Sequence, residues 1–165
     1  MRICYTYYGA GIVTLMSTLA LGCGHPSDAV LLARFREHTR DFEAIAAAAS
    51  QDLRKGALPP DFILRHGVES EQTLQPALIQ KYRMLLGRCC SKCDLFRDAL
   101  SGTIMLTAST SGLPLKGSYK GYAYSPNPPA KVLPSLDAVN SVPDDCKFHF
   151  RPIAEYWYLY YQNCE

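Results

Sequence analysis

The spacing of apolar and polar residues changes along the chain, and each change predicts a different kind of element. Ala10 to Leu21 is one uncharged, mostly apolar run. From Ala29 to about Leu53, the positions Leu31, Phe35, Phe42, Ile45, Ala46, Ala49 and Leu53 recur at intervals of three, four and seven. Those intervals mark one face of a long amphipathic helix. Arg34, Arg36, Glu37, Arg40, Asp41 and Glu43 fall largely off that face. Ser27 or Asp28 can cap its start. Gly56 can cap its end, and Pro59–Pro60 cannot continue it. Residues 61–70 read as irregular or as one short turn. A second helix is predicted from about Thr73 to Arg88, with Pro76 tolerated in its first turn and Ala77, Leu78, Tyr82, Leu85 and Leu86 as its apolar stripe.

Beyond residue 94 the period shortens. "TIMLTAST" (103–110), "LKGSYKGYAYS" (115–125), "KFHFRPI" (147–153) and "YWYLYYQN" (156–163) are rich in β-branched and aromatic residues and predict strands. A fifth strand is predicted near "CDLFRD" (93–98). Ser111–Gly112 and Ala154–Glu155 supply turns. Gly117 and Gly121 lie inside a predicted strand, where glycine marks a bulge or a close neighbouring backbone. Residues 125–145 hold five prolines and predict a long ordered loop. Helices first and strands afterwards predict an α+β fold: two N-terminal helices packed on one face of a four- to five-stranded antiparallel meander sheet.

The start of the chain has the layout of an export signal. Arg2 precedes an apolar run of about a dozen residues, short of the roughly 20 needed to span a bilayer. The "LALGC" that follows (19–23) resembles the lipobox of bacterial lipoproteins, which implies a lipidated Cys23. Ala20 and Gly22 equally fit ordinary signal cleavage at the same bond. Residues 1–22 are thus read as a signal peptide, 23–28 as a tether and 29–165 as a single domain. Gly24 after the cysteine implies, by the same resemblance, an outer-membrane location facing the periplasm. The chain carries 17 Lys and Arg against 15 Asp and Glu, with no basic stripe. Nucleic acid is therefore not an expected partner.

"FREHTRDFEAI" (35–45), "LKGSYKGYAYS", "SLD" (135–137) and the terminal "WYLYY" (157–161) resemble a group of small uncharacterised bacterial envelope lipoproteins. The shared features are an F-x-x-H-x-x-x-F-E helix, a GS-x-KGYAYS strand, a Pro-rich loop ending in "SLD" and a closing aromatic strand. The resemblance spans most of residues 31–161 and implies an envelope location and a common fold. It implies no reaction, and "CCSKC" (89–93) lies outside the pattern.

Of seven cysteines, Cys4 leaves with the signal, and six remain. In an oxidising compartment these pair. A lipidated Cys23 leaves an odd thiol among the other five. An unmodified Cys23 allows a third disulfide. Cys146 and Cys164 fall at the open end of the last predicted hairpin and are the best-supported pair. Cys90 and Cys93 are the other disulfide candidates, and the competing pairing takes Cys146 or Cys164 to one of the "CCSKC" sulfurs. Cys90-x-x-Cys93 has redox spacing, but it follows a helix instead of opening one, so a structural role is expected. With Cys146-x-x-His149 it makes a zinc-type ligand set, which the export signal argues against.

His38 borders the apolar helix face between Phe35 and Phe42 and is the one candidate base. Packing is the commoner role for such a histidine. Ser101, Ser109, Ser111 and Ser125 lack a nucleophile elbow. Asp144–Asp145 is a loop pair that suits a turn or solvent. No catalytic, metal or cofactor site is therefore expected. The aromatic strand is the distinctive surface candidate: Trp157, Leu159 and Tyr161 share one face, and Tyr156, Tyr158 and Tyr160 the other. The second face is expected to expose tyrosines for a protein partner. Cross-strand aromatic pairing is the alternative. The sequence thus reads as a non-enzymatic, membrane-anchored protein-binding domain, an immunity or inhibitor protein being one version. The alternative is a small-ligand carrier or hydrolase with a pocket between helices and sheet beside His38.

Overall fold

The computed structural model describes residues 24–67, 74–113, 116–129, 131–137 and 146–164. Among them the chain forms three helices and six strands: α1 (Asp28–Glu37), α2 (Thr39–Arg54), β1 (Ile63–Leu64), α3 (Pro76–Cys89), β2 (Asp94–Arg97), β3 (Ile104–Leu113), β4 (Lys116–Tyr124), β5 (Phe148–Ala154) and β6 (Trp157–Asn163). The fold is α+β with an antiparallel sheet, as the order of elements predicted. The finer expectation needs three corrections.

The single helix over 29–53 is two. His38, at φ −118° and ψ 25°, interrupts it. Thr39 Oγ1 donates to Phe35 O at 2.8 Å and to Arg36 O at 3.3 Å, and such back-bonding bends helices. The apolar register survives the break: Leu31, Phe35, Phe42, Ile45, Ala46 and Ala49 are all buried. The helical layer is therefore built from three helices, with α3 also contributing Ile79, Tyr82 and Leu86.

The sheet has six strands, in the order β1-β2-β3-β4-β6-β5. β1, inside the stretch expected to be irregular, pairs Ile63 with Phe96 and Leu64 with Leu95. The sheet is a meander only through β4. The connection from β4 passes beyond β6, which leaves β5 at the edge. That edge is partly covered, because Val132 bridges Phe150 and Leu133 N–H donates to Phe150 O at 2.7 Å. A covered edge is protected from pairing with another chain. Pro152 is tolerated there, beside a register shift between Pro152 and Ala154.

The third correction concerns the tyrosines. Leu106, Tyr122, Trp157, Leu159 and Tyr161 pack under the helices as the alternation predicts. On the second face, Tyr158 and Tyr160 are 8% and 0% exposed, so that face offers neither ring to a partner. Phe148 lies 5.8 Å from Tyr160 and Phe150 6.2 Å from Tyr158 between ring centroids. The Tyr160 hydroxyl is bonded to Thr107 at 2.5 Å. Cross-strand aromatic packing has closed this face. Tyr156, in the turn, remains exposed.

Gly121 sits where β3 bulges between Thr107 and Ser109. A Cβ on Gly121 would lie 2.0 Å from Leu106 O and 2.8 Å from Ala108 N, both backbone atoms. Gly121→Ala should therefore cost about 3 kcal/mol, read as a lower urea midpoint. Gly87→Ala in α3, whose added Cβ meets nothing within 4 Å, should leave the midpoint unchanged or raise it.

Candidate functional site

Distant parts of the chain converge at the start of α1. The Ser27 hydroxyl caps the helix by accepting from Val30 N–H at 3.4 Å. Next to it, Asp28 is 1% exposed. A carboxylate so buried needs both opposite charge and donors. Its Oδ1 lies 2.8 Å from Lys120 Nζ. Its Oδ2 accepts from Arg151 Nη1 at 2.8 Å and from Leu136 N–H at 2.7 Å. Lys120, itself buried, also donates to Asp137 Oδ1 at 2.7 Å. Asp137 accepts in turn from the Asp28 backbone N–H at 2.9 Å, which places an anion at the positive end of α1. Burial by itself would raise the Asp28 pKa. The donors from Lys120, Leu136 and Arg151 outweigh it and hold the carboxyl down at about 2. Two carboxylates face two cations, so the network is internally compensated.

His25 extends this arrangement. Its Nδ1 lies 3.0 Å from Ser109 Oγ and its Nε2 2.8 Å from Ser118 Oγ. Its ring meets Tyr161 edge-on at 5.6 Å. Burial, and then the Lys120 charge, lower its pKa, so the imidazole is neutral at pH 7 and one nitrogen donates while the other accepts. A nucleophile and a base meet at such distances. Here both nitrogens are taken by hydroxyls on neighbouring strands, and the ring acts as a bridge between β3 and β4. The stretch expected to be a tether is thus fastened at His25, Ser27 and Asp28.

Adjoining it, a cavity of about 590 Å³ opens between α1, the end of α3 and β3. Arg34 and His38 line it from α1, Arg88 from the last turn of α3, and Lys92 from the turn beyond. No ion pair or hydrogen bond joins the side chains of Arg34, Arg88 or Lys92 to another described residue. Two helix C-termini oppose these cations, each equivalent to about half a negative charge. Three cations outnumber these partial charges, and the Glu37 and Asp41 carboxylates beside His38 offset part of the excess. Such a cavity attracts and can hold an anion.

His38 lies in this cleft with acids of its own: its ring is 3.6 Å from Asp41 and 3.9 Å from Glu37. Cys89 also lines it. Burial first, and then the Asp41 charge, push this thiol up to about 11, so it is protonated at neutral pH and a poor nucleophile. Among the described residues it is the free cysteine. Disulfides join Cys90 to Cys93 and Cys146 to Cys164, with Cα separations of 5.3 and 4.5 Å. The cysteines of the zinc-type set are therefore taken up in two separate bonds, and the described residues hold no group of three or more potential metal ligands. Of the three candidate tyrosines, Tyr158 and Tyr160 are buried and Tyr156 is 45% exposed. Cys23 and Asp144–Asp145 lie outside the described residues.

Sequence reading found His38 but not the cations around it. Arg34 and His38 stand one helical turn apart, which is legible. Their meeting with Arg88 and Lys92 is tertiary. His25, Lys120 and Asp137 were missed for the same reason.

The depressed Asp28 pKa has a consequence in acid. The folded carboxyl titrates near 2 and an unfolded one at about 4, so between those values the unfolded chain binds more protons. Stability from Asp28 is complete above about pH 4 and lost as pH falls toward 2. Asp28→Asn, which takes the carboxylate from Arg151 and leaves Lys120 with Asp137 alone, should cost about 3 kcal/mol at pH 7. It should also flatten the loss of stability between pH 4 and 2, as followed by urea unfolding at each pH. No known protein family, curated protein or solved structure matches this chain.

Proposed function

We propose that the protein is an exported, lipid-anchored envelope protein that binds a small anionic ligand, bearing phosphate or carboxylate groups, in the cleft between α1, α3 and β3. The observation that carries this reading is the convergence of Arg34, Arg88 and Lys92, none with an acidic partner among the described residues, on one cavity of about 590 Å³. Its size suits a small molecule. Guanidinium groups suit planar, bidentate recognition of phosphate and carboxylate. Binding rather than turnover fits the cleft, because burial holds its Cys89 as a thiol. The reading keeps the pocket expected between helices and sheet and drops hydrolysis from it.

Export and anchorage rest on residues 1–23. Among the described residues no helix is long and apolar enough to cross a membrane. The protein-binding reading, with its immunity or inhibitor version, has lost two of its three tyrosines. Tyr156 and Val132, 45% and 47% exposed, are what remains to favour it.

Calorimetric titration with inorganic pyrophosphate should give saturable binding that weakens with added salt. Arg34→Ala and Arg88→Ala should each weaken it about tenfold, the worth of one charge-assisted hydrogen bond. Affinity unchanged in both variants would sink the reading. Separately, intact mass of the protein from bacterial membranes should start at Cys23 with added acyl chains. It should fall short of the fully reduced mass by two disulfides; a chain still carrying residues 1–22 would rule out export by this route.

A further inference from the structure

At the other end of β4 the sheet and α2 enclose a smaller cavity, of about 320 Å³, with the opposite character. Its polar charged groups are the carboxylates of Glu43 on α2 and Glu155 in the β5–β6 turn. No basic side chain pairs with either among the described residues. The remaining walls are aromatic. Tyr124 stands 5.3 Å from Trp157 and 6.3 Å from Tyr156 between ring centroids, the latter pair edge to face. Ala46 and Ala47 line its α2 side.

Tyr156 is placed there against a local preference. Its φ is +61°, a conformation that suits Gly or Asn and is strained for a bulky residue. The backbone reason is visible: in this conformation Tyr156 O accepts from Ser125 N–H at 2.9 Å. A glycine would serve that bond without strain. The ring is thus held at a cost that the backbone does not require, and 45% of the residue stays open to solvent. Glu155 stands close enough to the Tyr156 hydroxyl to raise its pKa above the usual tyrosine range.

We infer that this cavity is a binding site for an organic ammonium ion, with the faces of Tyr124 and Tyr156 and the carboxylates of Glu43 and Glu155 as its ligands. Aromatic faces and carboxylates together favour a cation that is only weakly hydrated, such as an alkylammonium, over a small metal ion. The site is independent of the anion cleft and needs neither its ligand nor a lipid anchor.

The chain's one tryptophan, Trp157, lines the cavity and reports on it. Titrating the mature chain with tetramethylammonium chloride, and in parallel with n-butylammonium chloride, should change Trp157 fluorescence with saturation. Sodium chloride at equal ionic strength should not. Tyr156→Gly removes the ring and relieves the backbone, so it should keep or raise the thermal midpoint while weakening ammonium binding at least fivefold. Glu43→Gln with Glu155→Gln, both at exposed positions, should weaken it by a similar factor. The proposal is overturned if neither ammonium salt gives a saturable response, if sodium chloride reproduces it, or if Tyr156→Gly binds as well as the parent. A response to butylammonium alone would reassign the Tyr124 and Tyr156 rings from ligands to walls and overturn the cation–π part.

Discussion

A carboxylate that is 1% exposed decides how much of this molecule is arranged. Asp28 cannot sit at the base of α1 without cations and donors brought to it. Those come from β4 through Lys120, from β5 through Arg151, and from the loop between them through Leu136. The three sources are separated along the chain, and the requirement closes them on one point. It ties the described residues 135–137 of the Pro-rich connection to the start of α1. It also holds the first residues of the domain against the ends of β3 and β4, where His25 bridges Ser109 and Ser118.

Charge is sorted by the same logic elsewhere. Asp52, 7% exposed, is matched by Lys81 at 2.6 Å and the Tyr82 hydroxyl at 2.8 Å. Inside the fold, then, each buried acid has its cation. Of the charges without an ion pair among the described residues, three cations gather around one concavity and two carboxylates around the other, while others such as Arg36, Arg54 and Asp61 stand on the open surface. A charge left unpaired on a convex surface costs little, because water screens it. Like charges gathered around a shared cavity repel each other through a lower dielectric. Such groupings are the ones a ligand of opposite sign can relieve. This is the physical ground for reading the Asp28 network as structural and the two concavities as sites.

What the sequence disclosed follows from how local each feature is. The helical stripe from Leu31 to Ala49 and the alternation along β6 are written in neighbouring residues, and both are seen. The break at His38 depends on one hydroxyl, that of Thr39, choosing backbone oxygens a turn earlier, which periodicity does not register. β1 is two residues long, too short for any period. The tyrosine error has a different source. Alternation correctly separates Trp157, Leu159 and Tyr161 from Tyr158 and Tyr160, but it cannot say that the second face is also covered. Phe148 and Phe150 do that from a strand whose place in the sheet was not predictable from its own residues. The glycine and aromatic motif "GSYKGYAYS" is legible as a pattern, and its reasons appear in space. Gly121 admits the β3 backbone, Lys120 answers Asp28, and Ser118 holds His25.

The docking of residues 25–28 also bears on Cys23. With Cys90 bonded to Cys93 and Cys146 to Cys164, Cys89 is the remaining partner for a third bond in the mature chain. Its thiol is buried and titrates at about 11, so little thiolate exists for exchange near neutral pH. Cysteine parity therefore carries little weight in deciding the state of Cys23. A lipidated Cys23 has a geometric consequence. The chain is fixed from His25 onward, and consecutive Cα atoms stand about 3.8 Å apart. Acyl chains on Cys23 would then be separated from the folded domain by Gly24 alone. Pro26, beside that anchor, is part of the wall of the cationic cleft.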